Sequence, residues 1–204
     1  MKKRLRKNIE FGLFFGLVCA IILSFAGVNA RCDELRNGVL RLHILANSDS
    51  ASDQQLKLKV RDRILEVTEK EFGICTGIDE AIKAASSNLK KITEAASEVI
   101  KSEGFDYSVS ASVKKDFFGN REYDDFTLPA GVYNSLTVRI GKAQGHNWWC
   151  VLFPGVCLSA AKKSTLDTAV SKKSAKFAKN ASKYRICFKT VEIFERIKNK
   201  IRKK

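Results

Sequence analysis

The residues of this 204-residue chain whose types could carry chemistry are six cysteines, two histidines and one pair of adjacent tryptophans. Several of them meet in HNWWCVLFPGVC, residues 146–157. A thiol nucleophile needs an imidazole base within reach and a lowered pKa. Cys150 has His146 on the preceding turn and His43 on a distant segment, and with either it would make a thiol hydrolase. However, Cys150 sits in the apolar run WWCVLF, and an apolar setting raises a thiol pKa. No catalytic residue is therefore assigned, and the Cys150 hydrolase is kept as the second reading. Cys150 and Cys157 also flank Phe153-Pro154-Gly155, a reversal signal. A chain folded back there brings the two Cα atoms to bridging distance, so Cys150–Cys157 is a candidate disulfide. The chain has no CxxC pair and only two histidines, which argues against zinc. Neither a metal nor a cofactor is expected.

The segment from His43 to Asp53 gathers Asn47, Asp49, Asp53 and three serines. It lacks the spacing of a calcium loop. Asx turns and helix capping account for the same residue types, and Ser50 with Asp53 resembles a capping box. Basic residues Arg41, Lys57, Lys59, Arg61 and Arg63 interleave with Asp53, Asp62, Glu66 and Glu69. That pattern is a solvated helix face, not a nucleic-acid surface. Trp148 and Trp149, as neighbours in a strand, must point to opposite faces. At most one easily enters a one-sided core, and an exposed tryptophan anchors interfaces. Trp148 and Trp149 are therefore candidate partner-binding residues, and Asn47, Asp49 and Asp53 are added to them as a candidate contact loop.

The elements that position these residues follow from periodicity. VLRLHILA at 39–46 reads as a strand and residues 51–72 as a helix carrying Leu56, Val60, Ile64 and Val67. A second helix spans roughly 76–102 and stops at Gly104. DYSVSASV alternates strictly, and Leu136, Val138 and Ile140 mark a further strand. The segment between them is a loop or short hairpin. WWCVLF is near-continuously apolar, as expected of a central strand. Residues 158–183 are rich in Lys, Ala and Ser and read as a linker. Tyr184, Ile186 and Phe188 alternate as a last strand before a basic amphipathic helix ending the chain. The fold class is α+β, with helices on one face of a mostly antiparallel sheet of four or five strands, in the order β-α-α-β-β-β-(β)-α.

Charge is unevenly spread. Residues 1–30 carry +4, residues 31–154 carry −1 and residues 155–204 carry +12 of the net +15. The body is near-neutral and both ends are basic, which suits contact with an anionic membrane surface. MKKRLRKN followed by the 16-residue apolar run FGLFFGLVCAIILSFA is a secretory leader pattern, and Val28-Asn29-Ala30 is a suitable cleavage site. An uncleaved anchor through residues 11–28 is the alternative. Both readings place residues 31–204 across the membrane. Five cysteines remain beyond the leader; an oxidising exterior favours pairing, and an odd number leaves at least one unpaired within the chain.

Three stretches, RLHILANSDSASDQQLKLKVRD (41–62), FTLPAGVYNSLTVRIG (126–141) and NWWCVLFPGVC (147–157), together resemble the stage II sporulation protein R family of endospore-forming bacteria. The resemblance runs in order over residues 39–157. It implies an exported signal made in the forespore and acting between the two membranes. There it would activate a membrane-embedded aspartic protease that matures the sigma-E precursor, with no enzymatic activity of its own. The family's Trp-Trp-Cys matches Trp148, Trp149 and Cys150, and its second cysteine matches Cys157. Its Asn-Ser-Asp matches Asn47, Ser48 and Asp49, and its Leu-Pro-Ala-Gly matches Leu128 to Gly131. Two features depart from the family: Gly155-Val156 stands where Pro-Leu is usual, and residues 158–183 are unusually lysine-rich.

Overall fold

Leu40, Leu42 and Ile44 alternate with Arg41, His43 and Leu45 along β1 (Leu40–Leu45), so β1 presents an apolar row to one side of the sheet and a largely polar row, with Arg41 fully buried, to the other. The computed structural model describes residues 2–123, 125–155 and 166–202, without the side chains at 2–7, 21–25, 70 and 167. Its elements in chain order are α1 (Lys2–Asn37), β1, α2 (Ala51–Gly73), α3 (Ile78–Ser87), α4 (Leu89–Ser102), β2 (Val109–Phe118), β3 (Arg121–Glu122), β4 (Thr127–Leu128), β5 (Gly131–Ile140), β6 (Asn147–Phe153), α5 (Lys172–Lys179) and α6 (Arg185–Arg202).

The main sheet has the order β2-β5-β1-β6, and β3 and β4 form a separate ribbon. The α+β class holds, but the sheet is mixed: β1 and β5 are parallel, while β1–β6 and β2–β5 are antiparallel. The parallel pair follows from α2 and α4, which run antiparallel through Lys59–Glu103 and Glu71–Lys91 contacts and return the chain to the end where β1 finished. WWCVLF is an edge strand, not a central one. Its apolar character on both sides reflects helices on both faces of the sheet.

One face carries Leu42, Ile44, Leu136, Val138, Ile140, Cys150 and Leu152 against α2, α3 and α4. The other carries Phe118, Tyr133 and Val151 against the end of α1, α5 and α6, with Cys32, Leu35, Phe177, Phe188 and Val191. Each fully buried Leu, Ile or Phe contributes about 1.5–3 kcal/mol. The helix expected over 76–102 is two helices, broken at Asn88, whose side chain donates to the Ala84 carbonyl at 2.8 Å.

The C-terminal expectations need correction. Tyr184–Lys189 is not a strand. It is the end of a 3-10 turn over Ala181–Tyr184 and the start of α6. Six residues alternated, but Tyr184, Phe188, Val191 and Glu195 recur at the helical period, and the latter three are buried. Ile186, which a strand would have turned inward with Phe188, is 83% exposed. Much of the expected linker is also structured: α5 buries Ala175, Phe177 and Ala178. Glu34 of α1 holds its start, accepting from the Ser171 N–H and from the Ser171 and Ser174 hydroxyls. Residues 156–165, including Cys157, lie outside the described residues. At the other end, α1 continues through Ala30 without a break, burying Cys32 and Leu35 beyond it.

Candidate functional site

The five candidate partner-binding residues stand at one end of the sheet because β1 ends there and β5 turns into β6 there. Asn47 and Asp49 occupy the loop after β1. The Asn47 amide donates to Asp53 at 2.9 Å, and its carbonyl oxygen accepts the Lys142 N–H at 3.0 Å. The Ser48 hydroxyl donates to the same Asp53 oxygen at 2.5 Å. Ser50 is the N-cap of α2 and accepts from the Asp53 N–H at 3.2 Å. Burial opposes ionisation of Asp53, but the Ser48 and Asn47 hydrogen bonds outweigh it and hold its carboxyl below the ordinary value. Asp49 accepts from the His146 backbone N–H at 2.5 Å and lies 2.6 Å from His146 Nδ1. Those contacts, the backbone one foremost, lower its pKa. Lys57 donates to the His146 carbonyl at 3.0 Å.

The β1–α2 loop and the β5–β6 turn are thus laced together. Two glycines allow the approach. Gly141 has φ +53, and a Cβ there would strike the Asn47 side chain. At Gly145 a Cβ would strike the Ser48 backbone. Asn47, Asp49 and Asp53 act first as the clasp that fixes this end of the sheet.

Trp148 and Trp149 follow the turn and point to opposite faces, both half-buried. Trp148 packs on the α2 side with the Arg61 guanidinium 4.5 Å from its ring centre. Trp149 lies on the other face, 6.0 Å from the His43 ring and 6.1 Å from Phe118. Register places Ser112, Thr137, His43 and Trp149 in one row across the sheet. The next row towards the loops is Ser110, Arg139, Leu45 and Asn147, of which Ser110, Arg139 and Asn147 are exposed.

Sequence reasoning missed the polar cluster under these rows. His43 Nδ1 is 3.2 Å from Asp116 Oδ2, which also accepts from the Thr137 hydroxyl at 2.8 Å. Thr137 is in turn 3.2 Å from Ser135. Burial opposes the Asp116 charge, yet His43, Thr137 and Lys114 outweigh it and hold the carboxyl far below its usual range. The signal was present: the Ser110/Ser112 alternation, continued by two strides, puts Asp116 on the same face. Arg41 is fully buried beside this cluster, 4.1 Å above the Phe118 ring, and donates to the Tyr123 hydroxyl at 3.0 Å.

A Ser-His-Asp type of triad places an imidazole between a hydroxyl or thiol and a carboxylate. Here the carboxylate stands between the hydroxyl and the imidazole. The Cys150–His43 pairing is not formed either. Cys150 opposes Leu42 and faces the α2 side, while His43 faces the other. The free cysteines among the described residues are Cys19, Cys32, Cys75 and Cys187, and Cys150 is not one of them. The arrangement forms a mixed polar and aromatic surface around Trp149.

A family model described as stage II sporulation protein R matches residues 36–163. Stage II sporulation protein R of Bacillus subtilis (strain 168) is 38% identical over 139 residues, covering 66% of this chain and 62% of the relative. The match thus spans a little under two thirds of that relative's length. No solved structure matches the chain.

Proposed function

The chain belongs to the stage II sporulation protein R family, and from that premise we propose that it is an exported, non-enzymatic signal of endospore formation. In this reading it binds and activates a membrane-embedded aspartic protease, leading to maturation of the sigma-E precursor. Activation means tighter binding to the protease's active state than to its inactive one.

One observation carries the reading. The three stretches that resemble the family become the neighbours β5, β1 and β6 together with the clasp beside them. The similarity therefore covers adjoining strands along their whole length, and at their loop end Arg139 and Asn147 are exposed beside the half-buried Trp149. The test is Arg139→Glu, a change on an exposed side chain that leaves the core untouched. Normal sigma-factor processing by the exported variant would remove this face from the account.

Export is supported by the basic start of α1 and by Phe11, Leu13, Phe14, Phe15 and Leu17, each exposed by 61% or more. Leaving such side chains in water costs about 1.5–3 kcal/mol each, which a membrane removes. Among the described residues no helix is long and apolar enough to cross a membrane. The apolar run passes through residues 21–25, outside the described side chains, so the leader or anchor reading rests on the sequence. The basic tail is assigned to an anionic membrane surface. A bridge from Cys150 is assigned to Cys157, which follows it across the Phe153-Pro154-Gly155 reversal. Mass mapping of the unreduced exported protein tests that pairing.

A further inference from the structure

Beside the point where α1 leaves its apolar run lies a cavity of about 290 Å³ whose charged lining is cationic: Arg31, Lys173, Lys176 and Lys183. No carboxylate lines it, and none of the four has an ion-pair partner among the described residues. Its wall is rigid. Phe177 stacks on Phe188 at 5.0 Å and meets Tyr184 at 4.8 Å, and the Arg31 guanidinium lies 5.8 Å from the Phe177 ring. Four unpaired cations around a concave site concentrate a positive potential that like charges would avoid without a ligand. Arg31 follows Ala26, the end of the apolar run, by about 7.5 Å of helix at 1.5 Å per residue. With α1 in or across the bilayer, the cavity opens at headgroup depth, where an aromatic hydroxyl such as Tyr184 also sits well.

We propose that this cavity binds a phosphate-bearing anion, and that an anionic phospholipid headgroup supplies it. Occupancy would fix the folded body against the membrane at the end of α1. This deepens the membrane reading above and rests on it. The site survives cleavage after Ala30, since Arg31 lies beyond that bond.

The test uses the full chain in neutral detergent micelles doped with phosphatidylglycerol or phosphatidylcholine, with inorganic phosphate as the soluble probe and calorimetry as the readout. The expected result is binding to phosphatidylglycerol over phosphatidylcholine. The K173E/K176E/K183E variant should bind about 100-fold more weakly, from roughly fivefold or more per basic residue at an anionic surface. The K83E/K101E/K115E variant changes net charge equally at exposed sites elsewhere and should stay within a few-fold of wild type. If phosphate competes at similar affinity, the site stands and free phosphate is its source. If it does not, the headgroup is the source. Equal weakening of both variants, or no binding of either probe, overturns the proposal. Micelle binding does not depend on export, so a protein that binds but is retained in the cell would contradict the export reading and leave the cavity standing.

Discussion

Asn47 spends its side chain twice, donating to Asp53 and accepting from the Lys142 N–H. Removing it leaves a buried carboxylate short of one donor and a turn short of its tether. Asn47→Ala should therefore lower the unfolding free energy by about 1–3 kcal/mol in urea titrations; an unchanged midpoint would show that the clasp is not what fixes this end. Asp116 makes a second prediction. Its folded pKa lies below the ordinary 3.8, so its stabilisation is present wherever the unfolded group is ionised. That stabilisation is lost as pH falls through 3.8 towards the lower folded value. Wild type should lose stability below about pH 4 more steeply than Asp116→Asn. Parallel acid limbs would exclude Asp116 as the source.

At the scale of elements, α6 is part of the second core layer, with Phe188 on Phe177 and Arg36 3.5 Å from Glu195. Phe188→Ala should cost about 3–5 kcal/mol, as for a core aromatic. A detached tail would lose less than about 0.5 kcal/mol at that position. The N-terminal two thirds were largely legible because their periods are long: β1, α2 and β5 each repeat apolar residues on one face. The clasp was legible as capping chemistry at Ser50 and Asp53, although its partner turn was not, because contacts such as Asp49–His146 join segments distant in sequence. The C-terminal third misled for two reasons. Six alternating residues satisfy strand and helix alike, and a lysine-rich stretch hides the buried Phe177, Ala175 and Ala178 of α5 among charges. The parallel β1–β5 pairing was out of reach, since it depends on where two helices return the chain.

At the scale of the whole molecule, two helical layers isolate some cysteines and leave others accessible. Burial pushes the Cys32 thiol up to about 11, far from reactive at neutral pH. Native protein treated with iodoacetamide near pH 8 should therefore carry label on Cys75 and Cys187, both partly exposed, and little on Cys32. Denaturation without reductant should add Cys32 but not Cys150 or Cys157. Label on Cys150 in that step would break the proposed bridge and reopen the thiol-hydrolase reading. A clasped loop and a near-neutral body between basic ends, with the proposed bridge on the edge strand, together make the presenting scaffold proposed for Trp149. The most direct measurement of that claim is the fraction of sigma-factor precursor processed in sporulating cells whose sole copy carries Trp149→Ala. With export and protease resistance matched to wild type, the account predicts that processing fails. Processing at the wild-type level would contradict it.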